Sequence, residues 1–152
     1  LTPKGLNRKC VGRSAKALLK MVGVDVPDNI RCITFEGEKE HPLIATELMM
    51  PILGVVRAKD FKDAVEKAVW LEHGNRHSAH IHSKNVDHIT EYAKAIDTAI
   101  LVKNGPSYAA LGFGGEGYCT FTIASRTGEG LTAAHTFTKS RRCVMVESLC
   151  IR

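Results

Sequence analysis

Apolar positions recur along this chain with two different periods. In GRSAKALLKMVGVDVP (12–27), Ala15, Leu18, Leu19 and Val22 fall at helical spacing. Ser14 stands where an N-cap hydroxyl is needed and Gly23 where a helix can end. IRCITFEG (30–37) is rich in β-branched residues and stops at a glycine, which predicts a strand. HPLIATELMM (41–50) reads as a short helix or turn. PILGVVRA (51–58) reads as a strand beginning at Pro51, a position where the missing N–H is tolerated. KDFKDAVEKAVWLEHGN (59–75) is the clearest helix. Phe61, Ala64, Val65, Ala68, Val69 and Leu71 make its apolar side, with Asp60 as cap and Gly74 as stop.

HSAHIHS (77–83) follows as a short strand. KNVDHITEYAKAID (84–97) is a second good helix, with Val86, Ile89, Tyr92, Ala93 and Ile96 on one side. TAILVKN (98–104) is a continuous apolar run of the kind buried on both faces of a sheet. Strand, helix, strand, helix, strand is the alternation of right-handed βαβ units. It predicts an α/β fold: a mostly parallel sheet covered by helices. No internal repeat or low-complexity linker interrupts it, so one domain is the simplest division.

After Asn104 the texture changes. GPSYAALGFGGEGYCTFTIASRTGEGL (105–131) is rich in glycine and small residues and shows no helical period. Within it, YCTFTIAS alternates enough to form a strand, and RRCVMVESLCIR (141–152) ends the chain as another. GFGGEG (112–117) fits the dinucleotide pattern G-x-G-x-x-G letter for letter. The pattern works only between a strand and a helix whose N-terminus faces the pyrophosphate. Here a full loop separates Gly112 from the preceding strand, and strand-like residues follow. The reading is therefore a loop that needs positive φ and tight backbone approach. A long glycine-rich segment of this kind is usually functional.

Composition narrows the picture further. The chain has 152 residues, enough for one core, with 44% hydrophobic and 24% charged residues. No apolar run is long enough for a transmembrane helix, so no membrane partner is expected. LTPKGLNRKC lacks the apolar stretch of a secretory leader and an initiator methionine. The chain therefore reads as a piece of something longer, or a processed form. Net charge is +5, but lysines and arginines are scattered, the densest cluster being Lys139–Arg142. Without a basic, aromatic-interleaved surface no nucleic-acid partner is expected. The five cysteines, Cys10, Cys32, Cys119, Cys143 and Cys150, form no C-x-x-C and read as free buried thiols.

Other candidate constellations are weak. His80 and His82 share one side of a strand, with His77 and His73 nearby, yet no carboxylate or cysteine stands at a telling spacing. Packing or hydrogen-bonding roles are expected, and no metal site. Asp60, Asp63 and Glu66 interleave with Lys59, Lys62 and Lys67 as a solvated, ion-paired helix face. Glu116 and Glu129 lie in loops, as functional groups or turn residues. Glu47 precedes a Met-Met-Pro turn into a strand. There a carboxylate can hydrogen-bond ribose hydroxyls or stand as a surface glutamate.

Four segments in one order carry a resemblance: ELMMPILGVV, EHGNRHSAHIHSKNVD, VKNGPSYAALGFGGEGYCTFTIASRTGEGL and FTKSRRCVMVE. Together they resemble the CoA-acylating aldehyde dehydrogenases, including the propionaldehyde and acetaldehyde dehydrogenases of propanediol and ethanolamine utilisation. The resemblance runs over nearly the whole chain and covers the C-terminal part of such an enzyme. It implies an aldehyde-dehydrogenase-like catalytic domain fragment (1–140) with a C-terminal oligomerisation strand (141–152). That strand would join a neighbouring subunit and make a homo-oligomer.

In the wider superfamily a glutamate before a Phe-Gly-Pro turn contacts the nicotinamide ribose. The matching residue is Glu47, with Met-Met-Pro in place of Phe-Gly-Pro and Pro51 in the proline place. Gly114 and Gly115 match the glycines of an active-site loop. The resemblance implies NAD as cofactor, coenzyme A as co-substrate and a short-chain aldehyde, oxidised to acyl-CoA through a cysteine thioester. It places the nucleophilic cysteine and the oxyanion-hole asparagine upstream of Leu1. No catalytic residue is therefore expected within the chain, and the chain alone is expected to be inactive. The location implied is cytoplasmic, including a bacterial microcompartment lumen. The alternative left open is a non-catalytic assembly module of the same fold.

Overall fold

The computed structural model describes residues 2, 5–119 and 130–146. The chain divides into two compact units, Leu1–Gly74 with Lys94–Ile96, and Asn75–Ala93 with Asp97–Arg152.

The first unit opens on helix α1 (Ala15–Met21). Ser14 caps it, its Oγ accepting from the Ala17 N–H at 3.3 Å, and Ala15 and Leu18 are its buried positions. Strand β1 (Ile33–Glu36) pairs in parallel with β2 (Ile52–Val55), Ile33 opposite Ile52. The ladder extends one step at each end. Ile33 N–H donates to the Pro51 carbonyl at 2.8 Å, and Gly37 N–H to Val55 at 3.0 Å. Pro51 thus precedes the strand and contributes only its acceptor, the one backbone group a proline retains.

Between the two strands lies the short helix α2 (Pro42–Ala45), with Pro42 at its first position. Its Ile44 side chain packs where a Cβ on Gly54 would have to be, so β2 carries a glycine there. Both strands alternate half-buried and exposed residues, which leaves Leu53 and Val55 on the outer face.

Helix α3 (Phe61–Glu72) starts as its sequence requires. Asp60 accepts from the Asp63 N–H at 2.8 Å, and Asp63 reaches back to the Lys59 N–H at 3.0 Å. One orphan donor of the helix and the N–H just before its cap are satisfied around one turn. The helix ends on His73 in the left-handed region, φ 57°, one residue before the expected Gly74 stop.

The second unit repeats the strand–helix–strand order. Strand β3 (Ser78–Ile81) pairs in parallel with β4 (Ile100–Lys103), Ser78 opposite Ile100. Helix α4 (Val86–Ile96) begins on Asn85, whose side chain accepts from Asp87 and His88. Ile100, Val102 and Ala110 form a buried cluster with Ala109 and Leu131 against it.

The parallel α/β reading thus holds: among the described residues β1 pairs with β2 and β3 with β4, each in parallel. The run 98–104 is not buried on both faces. Ile100 and Val102 are buried, Leu101 is half-buried and Lys103 exposed, because the described residues cover one side of this ladder more fully than the other.

The glycine-rich segment contains a short 3₁₀ helix, Ser107–Leu111, where no helical period was visible. A five-residue turn is too short to display one. A second 3₁₀ helix spans Ala134–Phe137. The strand expected at 118–125 falls mostly outside the described residues. Of the C-terminal strand expected at 141–152, residues 141–146 are exposed and unpaired in any ladder, and the rest lie outside the described residues. The cysteines correct another expectation. Cys32, Cys119 and Cys143 are exposed and Cys10 half-buried, all as free thiols, because none occupies an apolar-periodic position; Cys150 lies outside the described residues. No helix among the described residues is long and apolar enough to cross a membrane.

Candidate functional site

Glu47 lies on the connection from α2 to β2 and is exposed. Among the described residues its carboxylate has no hydrogen-bond or ion-pair partner. The residues after it form a tight descent into the sheet. Leu48 is buried at 7% exposure, and Met49 has φ 51°. The Met50 carbonyl accepts from Ile52 N–H at 2.8 Å, and the Pro51 carbonyl joins the ladder. The Met49 carbonyl accepts from Gly12 N–H at 3.1 Å, which ties this turn to the segment before α1. Beside it opens an apolar cleft of about 390 Å³, walled by Ile44, Leu48, Met49, Met50, Leu53 and Leu71 among others.

Gly114 and Gly115 belong to the second unit, so the structure puts Glu47 with Pro51 on one segment and the two glycines on another. The glycine loop folds back on the Ser107–Leu111 helix. Gly114 sits at φ 77° with open space where a Cβ would point. Gly115 has ordinary φ, but a Cβ there would lie 2.8 Å from the Ala109 carbonyl oxygen and 2.9 Å from the Ala109 methyl. Gly117 is crowded in the same way by the Ala110 carbonyl. These glycines therefore serve the loop's own closure. No helix begins within 113–119, so no helix N-terminus stands at GFGGEG to receive a pyrophosphate. Clefts of about 390 and 350 Å³ flank the loop, with Glu116 and Leu131 in the walls of both.

The histidines resolve into local partners. His80 Nε2 lies 2.9 Å from Ser107 Oγ, joining β3 to the turn after β4. His73 Nε2 lies 3.0 Å from the Ala45 carbonyl and its ring leans on Trp70. Among the described residues no group of three or more His, Cys, Asp or Glu could hold a metal ion. Asn104, which sequence reasoning passed over, clamps the carboxyl end of the β3–β4 ladder. It adopts φ 55°, accepts from Ser83 N–H at 2.8 Å and donates to the Ser83 carbonyl at 2.9 Å. The signal was available, since Asn-Gly-Pro marks a turn and asparagine tolerates the left-handed region.

Charge is organised on the surface. Lys67 bonds Asp63 at 2.8 Å and, with the Lys59 N–H, holds the Asp63 carboxyl below the usual carboxylate range. Glu36 raises Arg57 and Asp28 raises Lys16, each through a direct hydrogen bond. Glu40 is lowered, first by its own backbone N–H and then by Lys39, whose ammonium also stands 4.4 Å over the Trp70 ring. These pairs fasten helices and turns.

No family model matches the chain. Individual proteins do. It is 48% identical over 143 residues to the acetaldehyde dehydrogenase (acetylating) EutE of Salmonella typhimurium, covering 94% of this chain and 31% of that protein. It is 45% identical over 152 residues to a propanal dehydrogenase (CoA-propanoylating) of the same organism, covering 99% and 33%. A propionaldehyde dehydrogenase from the Clostridium phytofermentans fucose utilisation bacterial microcompartment has the same fold at TM-score 0.88 and 83% identity, over 99% of this chain and 35% of that one. Two further solved structures hold ligands, each at TM-score 0.88 and over 95% of this chain. One is a Rhodopseudomonas palustris propionaldehyde dehydrogenase with bound propionyl-CoA, 54% identical and 32% covered. The other is an engineered glycolyl-CoA reductase with bound NADP+, 53% identical and 33% covered. The chain spans about a third of the length of the curated relatives it matches. Similarity this high, in sequence and in fold over nearly every residue, makes CoA-acylating aldehyde dehydrogenases the chain's close homologues, about a third of whose length it matches.

Proposed function

We propose that the chain is part of an enzyme that oxidises a short aldehyde, propionaldehyde or acetaldehyde, to acyl-CoA with a nicotinamide cofactor. The observation that carries this reading is the similarity, over nearly its whole length, to enzymes of that activity; it does not favour the assembly-module alternative. In this reading Glu47 accepts hydrogen bonds from the nicotinamide ribose. Its exposure and uncommitted oxygens fit a vicinal diol, which offers two donors at close spacing. Pro51 anchors the segment to the β1–β2 ladder through its carbonyl. Gly114 and Gly115 shape an active-site loop by letting it close on the Ser107–Leu111 helix.

The nicotinamide, when bound, takes up the hydride lost by the aldehyde. The attacking thiolate and the oxyanion donors are assigned to the part of the complete enzyme beyond this chain. Coenzyme A then releases the acyl group from that cysteine. What this chain supplies is position: a ribose held within a few tenths of an ångström keeps the hydride acceptor in line.

The apolar Val144, Met145 and Val146 are exposed. They support assigning residues 141–152 to a subunit contact in a homo-oligomer. A cytoplasmic location inside a bacterial microcompartment is the reading supported by the origin of the Clostridium relative.

The test is a coupled assay of the complete enzyme carrying this chain. NADH or NADPH and acyl-CoA should form together from propionaldehyde or acetaldehyde only when CoA is present. Glu47→Gln should raise the cofactor KM and slow turnover. The 152-residue chain alone should form neither product. Absence of aldehyde-dependent cofactor reduction by the complete enzyme would overturn the reading.

A further inference from the structure

Among the described residues, five that are not glycine have positive φ: Met49, His73, Arg76, Asp97 and Asn104. Four have a local use for it. His73 and Asp97 close α3 and α4. Arg76 pairs with Asp97 through its guanidinium, while its carbonyl accepts from Ala99 N–H. Asn104 clamps Ser83 with its amide. Met49 ends no helix, makes no side-chain hydrogen bond among the described residues, and is 70% exposed in this chain. It is also a bulky residue, for which this backbone region is a genuine outlier. Backbone strain of this kind is a mark of sites where geometry serves function.

The position of the outlier gives it meaning. Glu47 lies two residues upstream of Met49, and the β2 ladder begins just downstream, at the Pro51 carbonyl. Leu48 is a buried anchor on one side, and the Gly12 N–H holds the Met49 carbonyl on the other. A left-handed residue between two such anchors turns the chain sharply. An extended residue in its place would carry Glu47 in another direction relative to the strand.

We propose that Met49 is a positioning residue. Its left-handed backbone sets the direction from which the Glu47 carboxylate meets the ribose of the cofactor. The inference rests on the ribose-binding reading of Glu47. The strained turn holds Glu47 in place before the cofactor arrives, so less ordering is needed on binding.

The experiment uses the complete enzyme and four variants, Glu47→Gln, Met49→Val, Met49→Gly and the Glu47→Gln/Met49→Val pair. Affinity for NADH is read by fluorescence titration and kcat separately by turnover, with thermal melting of each sample. A β-branched residue cannot hold this turn without strain, whereas glycine holds it freely. Met49→Val should weaken NADH binding about tenfold, as Glu47→Gln does, and the pair should be little worse than either alone. Met49→Gly, lacking the side chain but keeping the turn, should bind several-fold more tightly than Met49→Val. If Glu47→Gln weakens binding and Met49→Val does not, Met49 has no positioning role while the ribose reading stands. Equal losses in Met49→Val and Met49→Gly would also overturn the inference, because the side chain rather than the backbone would then matter. If Glu47→Gln leaves NADH binding unchanged, the ribose reading itself fails and the inference falls with it.

Discussion

Gly114 and Gly115 are adjacent, yet the structure requires glycine at each for a different reason, and substitution can separate the two. At Gly114 a Cβ would meet open space, but φ is 77°. Alanine there should cost about 1–2 kcal/mol, the penalty of the left-handed region for an L-residue. Asparagine visits that region readily, so Gly114→Asn should recover about half of the loss or more. At Gly115 φ is ordinary, but a Cβ would lie 2.8 Å from the Ala109 carbonyl oxygen. Carbon contacts are most favourable near ~3.5–4.0 Å. The methyl must therefore push a backbone carbonyl, at a cost of about 1–3 kcal/mol, and asparagine should be no better than alanine.

The pushed carbonyl is the one that accepts from Gly112 N–H at 3.1 Å. Gly115→Ala should therefore speed hydrogen exchange at the Gly112 amide, whereas Gly114→Asn should leave it nearly as protected as in the parent. Urea unfolding read by circular dichroism supplies the energies, and hydrogen exchange by NMR supplies the location. A Gly115→Ala variant with unchanged Gly112 protection and a cost below about 0.3 kcal/mol would refute the close-approach argument. Rescue by asparagine at Gly115 but not at Gly114 would invert it.

Asp60→Ala removes the acceptor for the Asp63 N–H at the start of α3 and should cost about 0.5–2 kcal/mol, read from the urea midpoint. Ile100→Ala opens a hole in the cluster with Val102 and Ala110 and should cost about 2–5 kcal/mol; a loss under about 1 kcal/mol would mean the cluster collapses onto the gap. Asp63 is held below its ordinary value first by Lys67. Its contribution is therefore full above the unfolded pKa of about 3.9 and disappears as pH falls through the lower folded value. Carboxyl NMR should find Asp63 titrating below ~3.9, and Lys67→Met should move it upward.

The three longer helices were legible because their signals are local. Ser14 and Asp60 each cap with a side chain a few residues from its donor, and the apolar side of α4 announced the third. The apolar spacing of Phe61–Leu71 or Val86–Ile96 exists whether or not anything packs on it. Alternation of strand and helix pointed to parallel pairing for a similarly short-range reason, since a chain leaving one strand through a helix returns in the same direction. The candidate site was legible in another way, through motifs that resemble those of a family. That resemblance named Glu47, Pro51, Gly114 and Gly115 but supplied none of their geometry.

By itself, then, the sequence determined the longer helices with the caps Ser14 and Asp60, the four strands β1 to β4 and the α/β class, and its motifs carried the resemblance to a family. Tertiary structure alone decided which strands pair, β1 with β2 and β3 with β4 among the described residues. It set His80 against Ser107, 27 positions away, and closed the glycine loop on Ala109. It also bent Met49 into a backbone region that its residue type disfavours. Each of these depends on groups distant along the chain, or on a strain that only the surrounding contacts can hold, whereas caps and periodicity need only neighbours.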